Sequence, residues 1–249
     1  MTTTWRTTAW AVAAGAALIA IPAGAAWAAS SGDADDPDDG YGMGMGGARM
    51  GGMMRGWDDD DAGYRGGYRD GGCLMDGLAD DAEATEADAA SLAAMAEEER
   101  MAGDLYDELA DAWGLRTFDM IAHAEDMHLS AVAGLMESYG LDDPTDGAEA
   151  GVYEDADLQS LYDDLLAQGT ASETGALTVG ALVEETDIAD LRAQDVDSDA
   201  VAALYDRLEH ASEHHLTAFV RALDADGGAY EATVLDPAEV AEITGVPAP

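Results

Sequence analysis

From about residue 83 to about residue 224 the chain sets apolar side chains at steps of three and four. It is punctuated at Gly114, Gly140, Pro144 and Gly227, and carries no strand-like alternation longer than a few residues. Such a chain must fold by laying helices face to face. Glycine stops and capping side chains place helices over 83–113, 117–139, 172–194 and 198–223, with Thr117 as the predicted N-cap of the second and a short helix over 157–168. The first and second helices are tightly joined, as are the third and fourth, whereas a long connection separates the pairs. That order predicts an all-α four-helix bundle with one long crossover containing the short helix.

Upstream of the helices the composition changes twice. Arg6 is the only charged side chain before Asp33, residues 9–26 are almost wholly apolar, and Ala26-Trp27-Ala28 has the small-x-small form that precedes signal cleavage. Residues 1–28 are therefore expected to be a signal peptide. Pro22 and the small residues after it favour cleavage over retention of an anchor, although the run is long enough to span a bilayer. The mature protein is expected to be secreted or extracytoplasmic, without stable membrane insertion. Residues 29–80 are rich in Gly, Asp and Met, with too much backbone entropy to fold alone, and are expected to be a flexible linker. Met43, Met45, Met50, Met53 and Met54 offer soft thioethers suited to Cu(I), against the plainer reading of a low-complexity arm. Residues 81–249 remain as the helical domain and its tail.

Charge narrows the partners. The chain holds 53 acidic side chains against 10 basic ones, all Arg, for a net charge of -43. A polyanion of this kind excludes nucleic-acid binding by phosphate neutralisation and docking on anionic lipid. Abundant Asp with no Lys fits a hydrated, halophilic type of surface. The single Cys73 cannot form an intrachain disulfide and reads as an incidental thiol.

The informative acidic residues are those on apolar faces. Steps of three and four from Glu99 meet Leu92, Met95, Ala96, Ala102, Gly103, Tyr106 and Ala110, so Glu99 points inward while Glu98 falls at the edge of that face and Glu97 opposite. In the second helix Glu125 and His128 share a face with Ile121, Val132 and Leu135, about 60° apart and within reach of one ion. His215 shares a stripe with Leu208 and Phe219, whereas His123, His210 and His214 face outward. Three residues before His215 stands Ser212, where a second Glu-x-x-His pair would need Glu. The third helix leaves two readings. Periodicity selects Glu184, but the text Glu98-Glu99 to Asp104-Leu105 resembles Glu184-Glu185 to Asp190-Leu191 and would select Glu185, with Asp187 as an extra carboxylate. A lone inward Glu or His is usually a hydrogen-bonded core residue. Four helices each contributing at least one point instead to a metal site, because an ion removes the cost of burying the carboxylates.

Glu97-Glu98-Glu99-Arg-Met-Ala-Gly-Asp-Leu-Tyr106, Ala124-Glu125-Asp-Met-His128, Val179-Gly-Ala-Leu-Val-Glu184-Glu-Thr-Asp-Ile188-Ala-Asp-Leu191 and Ser212-Glu-His-His215-Leu-Thr-Ala-Phe219 resemble the ferritin-like superfamily. The nearer likeness is to a domain-of-unknown-function family of secreted prokaryotic proteins. The likeness covers about residues 83–224, with a family-like tail through Tyr230 and Ile243. It implies that Glu99 and Glu184 or Glu185 are single-Glu ligands, that Glu125 bridges, and that His128 and His215 each cap one metal. It implies iron as the cofactor, with manganese or zinc as alternatives, and Tyr106 as a hydrogen-bond donor behind the ligands. Ser212 departs from the pattern and removes one bridging carboxylate.

Three functions follow as expectations: a di-iron protein with oxidase or peroxide-reducing capacity acting on O2 or peroxide; an extracytoplasmic protein that sequesters iron, zinc or copper without turnover; and a purely structural bundle with a polar core. Paired cysteines of the rubredoxin type are absent, which excludes an internal electron relay like that of rubrerythrins.

Overall fold

The computed structural model describes residues 72–75, 77–78 and 84–249. The predicted signal peptide, nearly all of the predicted linker and the five methionines proposed for Cu(I) lie outside the described residues. Within them all regular structure is helical: α1 (Gly72–Met75), α2 (Glu86–Trp113), α3 (Arg116–Ser138), α4 (Ala156–Gly169), α5 (Glu173–Ala193), α6 (Asp199–Ala225) and α7 (Pro237–Thr244). None of these helices is long and apolar enough to cross a membrane.

Local chemistry explains most of the boundaries. Thr85 and Asp88 form a reciprocal capping box at the start of α2, and Asp155, Ser172, Ser198 and Asp236 cap α4, α5, α6 and α7 through their side-chain oxygens. Gly114 ends α2 at φ 65, a left-handed conformation that costs glycine nothing. The start of α3 differs from expectation. Its N-cap position is Leu115, which makes no side-chain cap, and Thr117 lies inside the first turn. The segment before α2 also departs from a free linker. Leu78 is buried, Leu74 and Met75 pack on the core, and Arg207 Nη1 donates to the carbonyl of Leu74 at 2.5 Å. These few apolar side chains supply the burial that the surrounding glycines cannot.

Helix α2 packs chiefly on α3 and α5 chiefly on α6, while α2 with α5 and α3 with α6 join the two pairs. Two apolar clusters result. One contains Tyr106, Phe118, Leu177 and Phe219; the other contains Leu92, Met95, Val132, Leu135 and Leu204. Ring centroids of Tyr106, Phe118 and Phe219 stand 5.0 to 5.8 Å apart, each pair adding about 0.5–1.5 kcal/mol beyond its buried area. Between the clusters, at the middle of the four long helices, lies a layer of charged side chains. Helix α3 packs closely there: a Cβ at Gly103 would be in van der Waals contact with the Glu125 Cβ at 3.5 Å.

The crossover is tied down near this layer. Arg100 donates to Glu97 Oε2 at 2.8 Å and to the carbonyls of Glu149 and Val152, and its guanidinium lies 4.2 Å from the Tyr153 ring centre. Tyr153 in turn donates to Asp104 Oδ2 at 2.7 Å.

Candidate metal centre

Glu99, Glu125, His128, Glu184 and His215 meet in the charged layer. They form two triplets, Glu99–Glu125–His128 and Glu125–Glu184–His215, and within each the ligand atoms lie within 4.8 Å of one another. The two oxygens of Glu125 serve different rings. Oε2 is 2.7 Å from His128 Nδ1 and Oε1 is 2.9 Å from His215 Nδ1. Glu99 Oε2 adds a second carboxylate 3.2 Å from His128 Nδ1, and Glu184 Oε2 one 3.4 Å from His215 Nδ1. The imidazoles stack with centroids 5.4 Å apart. All five side chains are buried except His215, which is 12% exposed.

His128 Nδ1 and Glu99 Oε2 are within hydrogen-bond distance, but much of the remaining convergence is not hydrogen bonding. Glu99 Oε1, Glu125 Oε1 and His215 Nδ1 are buried without a hydrogen-bond partner, although His215 Nδ1 and Glu125 Oε1 nearly touch. Buried polar atoms are ordinarily paired, and an orphan costs about 1–3 kcal/mol. Atoms that converge without aligning donor to acceptor fit a shared cation, and carboxylate with imidazole suits iron, manganese or zinc. The residues present therefore fit the implied metal.

The electrostatics show the same excess of negative charge. Burial raises the carboxyls of Glu99 and Glu184 above the usual range; His128 opposes this at Glu99, whereas the neighbouring Glu125 adds to it at Glu184. For Glu125 burial also acts upward, but His215 and then His128 overcome it and hold the group well below the usual range. Burial disfavours both imidazolium ions, yet Glu125 and the second carboxylate of each triplet prevail, raising His128 well above its ordinary value and His215 to about 10.

The neighbouring pair Glu184 and Glu185 point to different structures. Glu184 Oε1 accepts from Tyr106 Oη at 2.6 Å, so Tyr106 stands behind the centre as the sequence implied. Glu185 faces away from it. Its carboxylate accepts from Tyr230 Oη at 2.5 Å and from the backbone N–H groups of Thr233, Val234 and Leu235 at 2.8 to 3.1 Å. As a candidate ligand Glu185 is thus corrected: its oxygens are saturated by the C-terminal tail. Asp187 lies beside the centre, where burial raises its carboxyl to about 7 and Ser212 Oγ donates to it at 2.6 Å. The Ser212 position is therefore filled by a hydroxyl–carboxylate pair. His123, His210 and His214 are exposed, as the face pattern predicted.

Two residues escaped the sequence reading. Glu98 and Asp190 are buried, each with one unpartnered oxygen, and burial raises both carboxyls, Asp190 to about 7 and Glu98 well above its ordinary range with Asp190 adding to the effect. The only hint was their position at the edge of an inward face, Asp190 one turn beyond Asp187.

The family described as "Uncharacterized protein domain (DUF2202)" matches residues 88–247, which span the whole centre and the tail that holds Glu185. The chain belongs to this family. It is 36% identical over 161 residues to the uncharacterised protein MJ0754 of Methanocaldococcus jannaschii, a match covering 64% of this chain and 87% of that protein. The crystal structure of the hypothetical protein MJ0754 is similar to it with a TM-score of 0.65 at 34% identity, over 68% of this chain and 97% of that one.

Proposed function

We propose that this DUF2202 member is a secreted, ferritin-like four-helix metalloprotein whose two triplets, with Glu125 common to both, would hold a pair of iron ions and give it oxidase or peroxide-reducing activity. The observation that carries the reading is the orphaned convergence at Glu125: one buried carboxylate shared between two imidazoles, with ligand atoms on three side chains left without hydrogen bonds. Glu99 and His128 would complete one position, Glu184 and His215 the other. When bound, the metal pair would supply a place for O2 or peroxide to accept electrons from Fe(II) or another donor. The protein's own part is to hold the ligands dry and pre-arranged. Tyr106 fixes the Glu184 carboxylate, and the aromatic cluster of Tyr106, Phe118 and Phe219 closes one side against water. His128 and His215, charged in the metal-free protein, would give up their protons when the metal enters.

The test is elemental analysis of the purified protein, followed by anaerobic Fe(II) loading and exposure to air or peroxide under absorbance. About two irons per chain and an oxidation-dependent band are expected. A protein that neither retains metal nor changes spectrum refutes the reading. The recess at the centre is small and lined mainly by Glu98, Glu99, Glu125, Glu184 and Asp187. This favours a second reading, extracytoplasmic metal sequestration without turnover, in which the metal is retained but no oxidation is catalysed.

A further inference from the structure

Helix α6 carries two more histidines on its outer face, away from the centre. His210 and His214, one turn apart, direct their Nε2 atoms at each other across 3.2 Å, with the rings edge to face at 4.6 Å between centroids. Both are exposed, His210 to 70% of its side chain. A hydrogen bond between two imidazoles in water contributes little, because water competes for both atoms. The separation suits something else. Metal–imidazole bonds of about 2.0–2.1 Å subtending angles between square and tetrahedral place two ligand nitrogens about 2.9–3.4 Å apart. Glu213 Oε2 lies 3.6 Å from His210 Nδ1, on the side of the ring opposite Nε2. Its other oxygen pairs with Arg192 Nη2 at 3.2 Å, so Glu213 adds negative charge beside the ring without a hydrogen bond to it. Asp206, one turn before His210, lines the same shallow recess and adds negative charge near the pair.

We propose that His210 and His214 form an exposed two-imidazole site for a borderline divalent transition cation, with Cu(II) bound more tightly than Zn(II). It is independent of the buried centre. The two sites lie on different faces of α6 and share no ligand, and solvent reaches this one directly.

The experiment uses the full chain stripped of metal and titrated with Cu(II) in excess glycine, which removes ions held only by scattered carboxylates. Binding is followed by calorimetry and by the nitrogen hyperfine pattern in electron paramagnetic resonance. Wild type is expected to hold one Cu(II) with two imidazole nitrogens. His214→Ala should weaken binding by about 100-fold, because a chelate becomes a single contact. The double variant His210→Ala/His214→Ala should lose the two-nitrogen signal while its circular dichroism is unchanged, since both positions face solvent. Glu125→Gln should leave the signal intact, which separates this site from the buried centre. Retention of the same signal and stoichiometry in the double variant overturns the proposal, and so does failure of the wild type to hold Cu(II) against glycine.

Discussion

Glu184 and Glu185 are adjacent, equally buried and chemically identical, yet replacing each by Gln should break different things. Glu185 accepts one phenolic and three backbone hydrogen bonds from residues 230–235. Bonds to a charged acceptor contribute about 1.5–3 kcal/mol each. In Glu185→Gln one oxygen becomes a donor and the remaining carbonyl is uncharged, so at least one bond is lost and the others weaken. A net cost of about 3 kcal/mol follows, which lowers Tm by about 6–12 °C for a domain of this size. Amide protons of Thr233, Val234 and Leu235 should exchange far faster, while bound metal is retained. Glu184→Gln should do the reverse: the metal-free Tm moves little, because the carboxylate is already disfavoured by burial, but bound metal falls. Thermal unfolding, hydrogen exchange and elemental analysis on the two variants decide the matter. An unchanged Tm and a still-protected tail in Glu185→Gln would refute the clasp. Metal loss confined to Glu185→Gln would reverse the assignment of the ligand.

Asp190→Asn should be more stable than wild type at pH 8 and equal to it at pH 3.5. The native carboxyl titrates at about 7 against about 3.9 unfolded, so its destabilising effect is absent at low pH and grows as pH rises between those values; Tm against pH measures it. His215 has the opposite sign. Its native value of about 10 exceeds the unfolded value of about 6.5, so its ion pairs stabilise the metal-free protein fully below pH 6.5 and fade as pH rises through 10. Metal binding, which needs the neutral ring, should tighten over the same interval, so the Tm gap between loaded and metal-free protein should widen from pH 7 to pH 9. Gly180→Ala should cost about 1–3 kcal/mol in urea unfolding, because its Cβ would lie 2.7 Å from the Phe219 ring.

The helices and the converging residues were legible because both depend on period. Glu99, Glu125, His128 and His215 interrupt apolar stripes, and stripes interrupted on three helices imply a common interior. The choice between Glu184 and Glu185 was not legible, because α5 is buried on nearly all sides and both residues have apolar neighbours one turn away. What separates them is the tail at 230–235, a partner some fifty residues distant that no local pattern announces. Glu98 and Asp190 were missed for a related reason. Each lies at the rim of a stripe, where burial depends on how closely two helices approach. Thr117 failed as a cap because the chain is extended only at Leu115 and is already helical from Arg116, which places Thr117 in the first turn.

The charged layer is divided between two hairpins. Glu99, Glu125 and His128 belong to the α2–α3 pair, and Glu184 and His215 to the α5–α6 pair. Each pair joins neighbours in sequence and can form early at small loop-closure cost. Bringing the pairs together must then press carboxylate toward carboxylate across the seam, with only two imidazoles to answer. Assembly of the two halves is therefore the step at which this chain meets its own charge. An ion that binds between them would act on the rate of docking as well as on the stability of the product, and cation supply during folding would then become part of how the protein matures.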